Sequence, residues 1–208
     1  MMWNVTNPTC GDIGYSLLKP HLSSFHQPYS LSLEEPSLSL FLNYTFPLFT
    51  GSVVHTLVNG GVYQVNDTAY PTLYAIQQDP TWTPPPTEQR NLVIIPDQYR
   101  GKTVRIVLLS NGAGAHPFHM HGHGFQVVAY GAGSFDDAAL AQANSVDLRD
   151  VIVRDTVVVP ADGWMVTQYV FPQCRTASNM CSHAGLPPTE SQPTTRVCGL
   201  CIVTLVSC

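Results

Sequence analysis

The chain has 208 residues and a formal net charge of −5, with 11% charged and 44% hydrophobic residues. That length suffices for one sizeable core or two small ones. The acidic balance, without any Lys/Arg cluster, argues against nucleic acid as a partner. No apolar run reaches the roughly 18–20 residues that a membrane-spanning helix needs, so no membrane role is expected.

Taken in chain order, residues 1–29 carry Pro8, Pro20 and Pro28 and read as an irregular connection. The start, Met1-Met2-Trp3-Asn4-Val5-Thr6-Asn7, has neither a positive region nor an apolar stretch, so it does not read as a secretory signal. Short β-branched runs follow at 53–58, 91–95, 103–109, 125–130, 151–153 and 157–159, separated by Gly, Pro, Asn or Asp. Pro84-Pro85-Pro86 marks a surface loop. Only the segment 136–143 has helical composition, as a short turn between strands. Many short strands with turn-rich joints predict an all-β sandwich or barrel.

Residues 116–123 read His116-Pro117-Phe118-His119-Met120-His121-Gly122-His123, which is half of the chain's eight histidines. A neutral imidazole is the commonest metal ligand. In an extended segment His119, His121 and His123 share one face while His116 has the opposite parity. One short strand can therefore serve two sites. His21, His26, His55 and His183 stand alone and read as ordinary histidines. Three acceptor sequons, at Asn4, Asn43 and Asn66, fit an extracellular protein.

The octet resembles the third copper-binding motif of the multicopper oxidases, the laccase and ferroxidase family. The resemblance extends to Gly124-Phe125-Gln126-Val127-Val128-Ala129-Tyr130-Gly131, to the run from Arg154 through Trp164, and to Val62-Tyr63-Gln64-Val65-Asn66. It covers about residues 30–171 and looks most like the last cupredoxin domain of fungal laccase-like members. The fold it implies is a cupredoxin-like antiparallel Greek-key β-sandwich or barrel. By position, His116 matches a type 1 copper ligand, His119 a type 2 ligand and His121 a type 3 ligand. His123 matches a residue that does not bind copper, which leaves it a supporting hydrogen-bonding role. The resemblance further implies upstream cupredoxin domains as partners, a small aromatic reductant, reduction of dioxygen to water, and a secreted parent protein.

After Phe171 the family pattern is expected to break. Where relatives carry His-Cys-His-x-x-x-His, this chain reads Asn179-Met180-Cys181-Ser182-His183. The tail, residues 172–208, holds Cys174, Cys181, Cys198, Cys201 and Cys208. It admits a zinc site built on Cys198 and Cys201, a disulfide-linked tail, or sequence foreign to the domain from a changed reading frame or unspliced segment. With the last copper motif missing or broken, the chain alone is expected to be inactive. The alternatives are a non-catalytic cupredoxin fragment and a mononuclear metal-binding β-barrel. The strand containing Val104, Ile106 and Leu108 is expected to lie against those at 125–130 and 164–171. The weak point is the last of these, which the tail is expected to leave as an unprotected edge.

Overall fold

The computed structural model describes residues 14–18, 32–46, 57–62, 74, 78–79, 95–121, 123–171 and 203–204. The strands are β1 (Leu38–Thr45), β2 (Leu57–Val58), β3 (Gly61–Val62), β4 (Thr103–Ser110), β5 (His116–Met120) and β6 (Phe125–Ala132). They continue with β7 (Val153–Arg154), β8 (Thr156–Val159), β9 (Gly163–Val170) and β10 (Val203–Thr204). A single helix longer than one turn, α1 (Asp137–Asn144), follows β6 among the described residues. Asp136 caps it by accepting from the Ala139 N–H at 2.9 Å.

The strands form two sheets. One has the order β3-β2-β1-β4-β9-β6-β7 and the other β10-β5-β8. This is the expected all-β class, with one difference in strand direction. β1 runs parallel to β4, from Leu38 opposite Val104 to Tyr44 opposite Ser110, whereas every other pair among the described residues is antiparallel. A parallel pair needs a crossover connection, and the long stretch between Thr45 and Thr103 supplies it. β1 is not among the β-branched runs read from the sequence. Its signal is the alternation of apolar residues Leu38, Leu40, Leu42 and Tyr44, which face the core, with Ser39, Phe41 and Asn43.

Period-two alternation assigns the faces. Val104, Ile106 and Leu108 of β4 join Met165 and Tyr169 of β9, Phe118 and Met120 of β5, and Val157 and Val159 of β8 in the core between the sheets. The opposite face of the large sheet gives Val107, Trp164 and Val166, which pack under Ala139 and Ala143 of α1. β4 is buried on both sides for this reason, and its near-continuous apolar run follows from it. β6 changes parity midway. A bulge between Val127 and Ala129 sends Phe125 and Val127 to the inter-sheet core and both Val128 and Ala129 to the helix side.

β9 is not an edge. It lies between β4 and β6, so its N–H and C=O groups are paired on both sides and the expected unprotected edge does not arise there. Of the strands expected at 53–58 and 91–95, the described parts are β2 and the non-strand residue Ile95; the rest lies outside the described residues. Most of the connection at 1–29 and of the tail at 172–208, including all six cysteines, also lies outside them.

A row of polar side chains crosses the helix-side face of the large sheet. Arg105 of β4 stands opposite Gln168 of β9, which stands opposite Gln126 of β6. All three are buried. Arg105 donates to Gln168 Oε1 through Nε (3.3 Å) and Nη2 (3.2 Å), and to Asn144 Oδ1 through Nη1 (2.6 Å). Gln168 Nε2 donates to Ser32 Oγ and to the Glu34 carbonyl, both at 3.1 Å. Gln126 accepts from the Ser32 N–H at 2.7 Å and donates to the Leu148 carbonyl at 2.7 Å. Burial lowers the proton affinity of the Arg105 guanidinium, partly offset by Glu35. This network fastens the lead-in to β1 and the end of α1 onto the sheet.

Candidate metal centre

The histidine octet forms β5 and the turn after it, the central strand of the small sheet. Phe118 and Met120 are almost fully buried and fix which side of the strand faces inward. His119 must then face outward and His116 inward. The structure places them so. His119 and His121 bring their rings to 4.9 Å, centroid to centroid, on the outer side. His116, at the start of β5, stacks on Phe46 at 4.2 Å with an interplanar angle of 28°. The edge of Tyr44 approaches it from 6.2 Å.

His123 does not join the pair. β5 ends at Met120, so the alternation that would carry His123 to the same face stops there. Its ring lies 6.0 Å from Tyr169, edge to face, and its Nδ1 donates to the His121 carbonyl at 3.0 Å.

Hydrogen bonding settles the tautomers. His119 Nδ1 lies 2.9 Å from the Asp155 carbonyl and 2.9 Å from Thr156 Oγ1. His116 Nδ1 lies 2.9 Å from the Gly114 carbonyl. A carbonyl oxygen only accepts, so each Nδ1 carries a proton, and in the neutral ring the lone pair is on Nε2. A ring held this way is oriented as metal-binding histidines are, with the second nitrogen tied to a backbone carbonyl. Thr156 stands directly opposite His119 in the β5–β8 pairing, and Asp155 also accepts from the Met120 N–H at 3.0 Å. Asp155 belongs to the family-like run that begins at Arg154, and what it contributes here is its backbone carbonyl. Phe46, Tyr44 and Thr156 carry no signal of such a role, because their contacts depend on strands far apart in sequence; Gly114 lies only two residues before His116 but acts through a backbone carbonyl, which no residue type marks.

Tyr44 is buried against His116, and its hydroxyl finds no well-aligned hydrogen-bond partner. Burial pushes the phenol above its ordinary range, and nearby Ser110 eases the shift. Among the described residues no three of His, Cys, Asp and Glu gather closely enough to hold a metal ion by themselves. The donor set nevertheless fits copper. The His119 and His121 rings sit close enough to share a site, and His116 stands apart from them against Phe46 and Tyr44. Cys181, the residue nearest an expected thiolate position, lies outside the described residues.

Comparison with known proteins identifies the family. Laccase-3 of Oryza sativa subsp. japonica is 32% identical over 139 residues, covering 62% of this chain and 23% of that protein. A putative laccase-17 of the same plant is 38% identical over 73 residues, covering 34% of this chain and 12% of that protein. The crystal structure of a laccase from Botrytis aclada superposes with a TM-score of 0.60 at 25% identity, over 78% of this chain and 27% of that one. The chain thus spans about a quarter or less of the length of these relatives. Residues 64–175 match the family model described as multicopper oxidase. Copper is that family's metal, and the chain belongs to the multicopper oxidase family.

Proposed function

We propose that residues 30–171 are the C-terminal cupredoxin domain of a laccase-like multicopper oxidase, closest in kind to fungal members, with 1–29 as its lead-in connection. His116 is assigned to a type 1 copper and His119 and His121 to the type 2 and type 3 positions of a shared cluster. The observation that carries this reading is the division of the octet. The His119 and His121 rings lie 4.9 Å apart, centroid to centroid, at the end of β5, while His116 turns inward onto Phe46.

Copper, when bound, supplies one-electron redox chemistry between a small aromatic reductant and dioxygen. The chain's own residues hold the donors ready. The Gly114 carbonyl orients the His116 ring and the Asp155 carbonyl the His119 ring, so both would be held in place for a metal ion. Phe46 and Tyr44 screen His116 from water on one face and one edge, which lowers the local dielectric around it. Phe118 and Met120 anchor the strand between the two sites. The outer pair needs further donors from upstream cupredoxin domains, and the much greater length of the relatives supports their presence in a longer, secreted polypeptide.

The tail at 172–208 is read as foreign to the domain, with the last copper motif broken. The family match supports this by ending at residue 175, before Cys181. Its described piece, β10, lies along β5 opposite His119 and Met120. The chain alone therefore lacks the donors for four-electron reduction of dioxygen. The test is copper loading followed by electron paramagnetic resonance and oxygen uptake. Expected is a weakly held Cu(II) with nitrogen donors, lost in His119→Ala and His121→Ala, and no oxygen uptake with a phenolic reductant. An intense absorption near ~600 nm, the mark of a Cu–thiolate site, or sustained oxygen uptake by this chain alone, refutes the reading of the tail. Cu(II) binding unchanged in both variants refutes the assignment of the pair.

A further inference from the structure

We propose that Asn43 is an N-glycosylation site and that Phe41 is the platform on which the first sugar rests; this builds on the reading of the chain as part of a secreted protein. The sequence carries the acceptor pattern Asn43-Tyr44-Thr45. The structure adds what the pattern alone lacks. β1 turns Leu42 and Tyr44 into the core, so Phe41, Asn43 and Thr45 stand on its opposite face. The Asn43 carboxamide is only half engaged. Its Oδ1 accepts from Asn111 Nδ2 at 2.9 Å, while Nδ2, the atom that carries a glycan, makes no hydrogen bond among the described residues. Both backbone groups of Asn43 are held by Asn59, whose Oδ1 accepts from the Asn43 N–H at 2.9 Å and whose N–H donates to the Asn43 carbonyl at 2.7 Å. A sugar on Nδ2 therefore disturbs none of these bonds.

Phe41 supplies the second observation. It is 52% exposed although it is a large aromatic in the middle of a strand, and its visible partner is the edge of Phe135 at 6.3 Å. Residues two apart on a strand stand about 6.6 Å from each other on the same face. That is close enough for the apolar face of an N-acetylglucosamine on Asn43 to lie on the Phe41 ring, where it covers apolar surface. In the transfer, Asn43 Nδ2 bonds to the anomeric carbon of a lipid-pyrophosphate-linked oligosaccharide. The anomeric C–O bond breaks, the lipid pyrophosphate leaves, and the amide gives up one proton.

The test expresses this chain behind a heterologous cleavable signal sequence in a eukaryotic secretory host, which bypasses the question of native localisation. Native localisation is measured separately, so the two readings fail independently. Peptide mass spectrometry after enzymatic deglycosylation in heavy-oxygen water is expected to show Asn43 converted to labelled Asp. Asn43→Gln and Thr45→Val each remove one glycan from the secreted product, and Thr45→Ser retains it. Trimming to one N-acetylglucosamine is expected to preserve the thermal midpoint, and complete removal to lower it by about 2–4 °C. That drop is expected to vanish in Phe41→Ala at unchanged occupancy. Secreted chain with Asn43 unmodified overturns the site, whatever the state of Asn4 and Asn66. A midpoint drop that persists in Phe41→Ala overturns the platform.

Discussion

Gly163 begins β9, and its replacement by alanine tests the register of the large sheet at one atom. Its φ is not in the left-handed region, so alanine is forbidden there by space and not by backbone conformation. An added Cβ would stand 2.4 Å from the Gly131 carbonyl oxygen, 3.0 Å from Pro160 Cβ and 3.3 Å from Ala132 Cα. Close C···O contacts rarely fall below about 3.3 Å, so β6 and β9 must part by roughly 0.9 Å at this point. The closest neighbour is a backbone carbonyl and the next is a carbon of the closed proline ring, and neither can rotate away. Separation stretches the Ala132–Gly163 pairing and the adjoining Gly133 N–H to Asp162 carbonyl bond of 2.7 Å. Weakening two such bonds costs about 1–3 kcal/mol, and overpacking adds about 1–3 kcal/mol. The lower entropy of the unfolded alanine chain returns about 0.4–1 kcal/mol. The expected net loss is about 3 kcal/mol, a large part of the roughly 5–15 kcal/mol typical of a folded domain. Trp164, buried beside the site under Phe135, gives a fluorescence signal for urea unfolding. A Gly163→Ala midpoint equal to the parent's, within about 0.5 kcal/mol, would falsify the Ala132–Gly163 register and the strand order built on it.

Three further outcomes follow from the same geometry. Thr156→Val removes one of two acceptors on His119 Nδ1 but leaves the Asp155 carbonyl, so Cu(II) affinity by calorimetry should fall roughly 10-fold, less than in His119→Ala; an unchanged affinity would show that Thr156 does not orient the ring. Arg105→Leu leaves the buried Gln168 Oε1 without its donor and removes the bond to the exposed Asn144, and should cost about 2–4 kcal/mol in urea unfolding, and a neutral result would show that the polar row is not structural. The Tyr44 phenol is held above its unfolded value by burial, so its contribution to stability is complete below about pH 10 and is lost as pH rises through the folded value. Alkaline unfolding should therefore be shallower in Tyr44→Phe, and identical alkaline curves would exclude Tyr44 from that transition.

Local chemistry makes part of this protein legible in its sequence. The density of the octet points to metal binding, and alternation along an extended segment separates His116 from His119 and His121 without any knowledge of the fold. Val104, Ile106 and Leu108 likewise show a strand, and the 125–130 run shows another. The composition of 136–143 shows the place of α1, although it suggests no more than a turn where the structure has an eight-residue helix. Other features depend on which distant segments meet, and no local pattern encodes that. The parallel pairing of β1 with β4 requires a crossover whose direction is a property of the whole chain. The bulge at Val128 reverses the parity of β6, so Tyr130 faces the core although simple alternation from Val127 sends it outward. His123 leaves the pair because β5 stops at Met120. The interior position of β9 follows from pairing on both flanks. The carbonyls that set each tautomer, and the Phe46 and Tyr44 rings around His116, come from residues whose types are common in any β-sandwich. The donors are legible in the sequence because they lie in one short segment; apart from the Gly114 carbonyl two residues before His116, what orients them is contributed by other strands and is decided by tertiary packing.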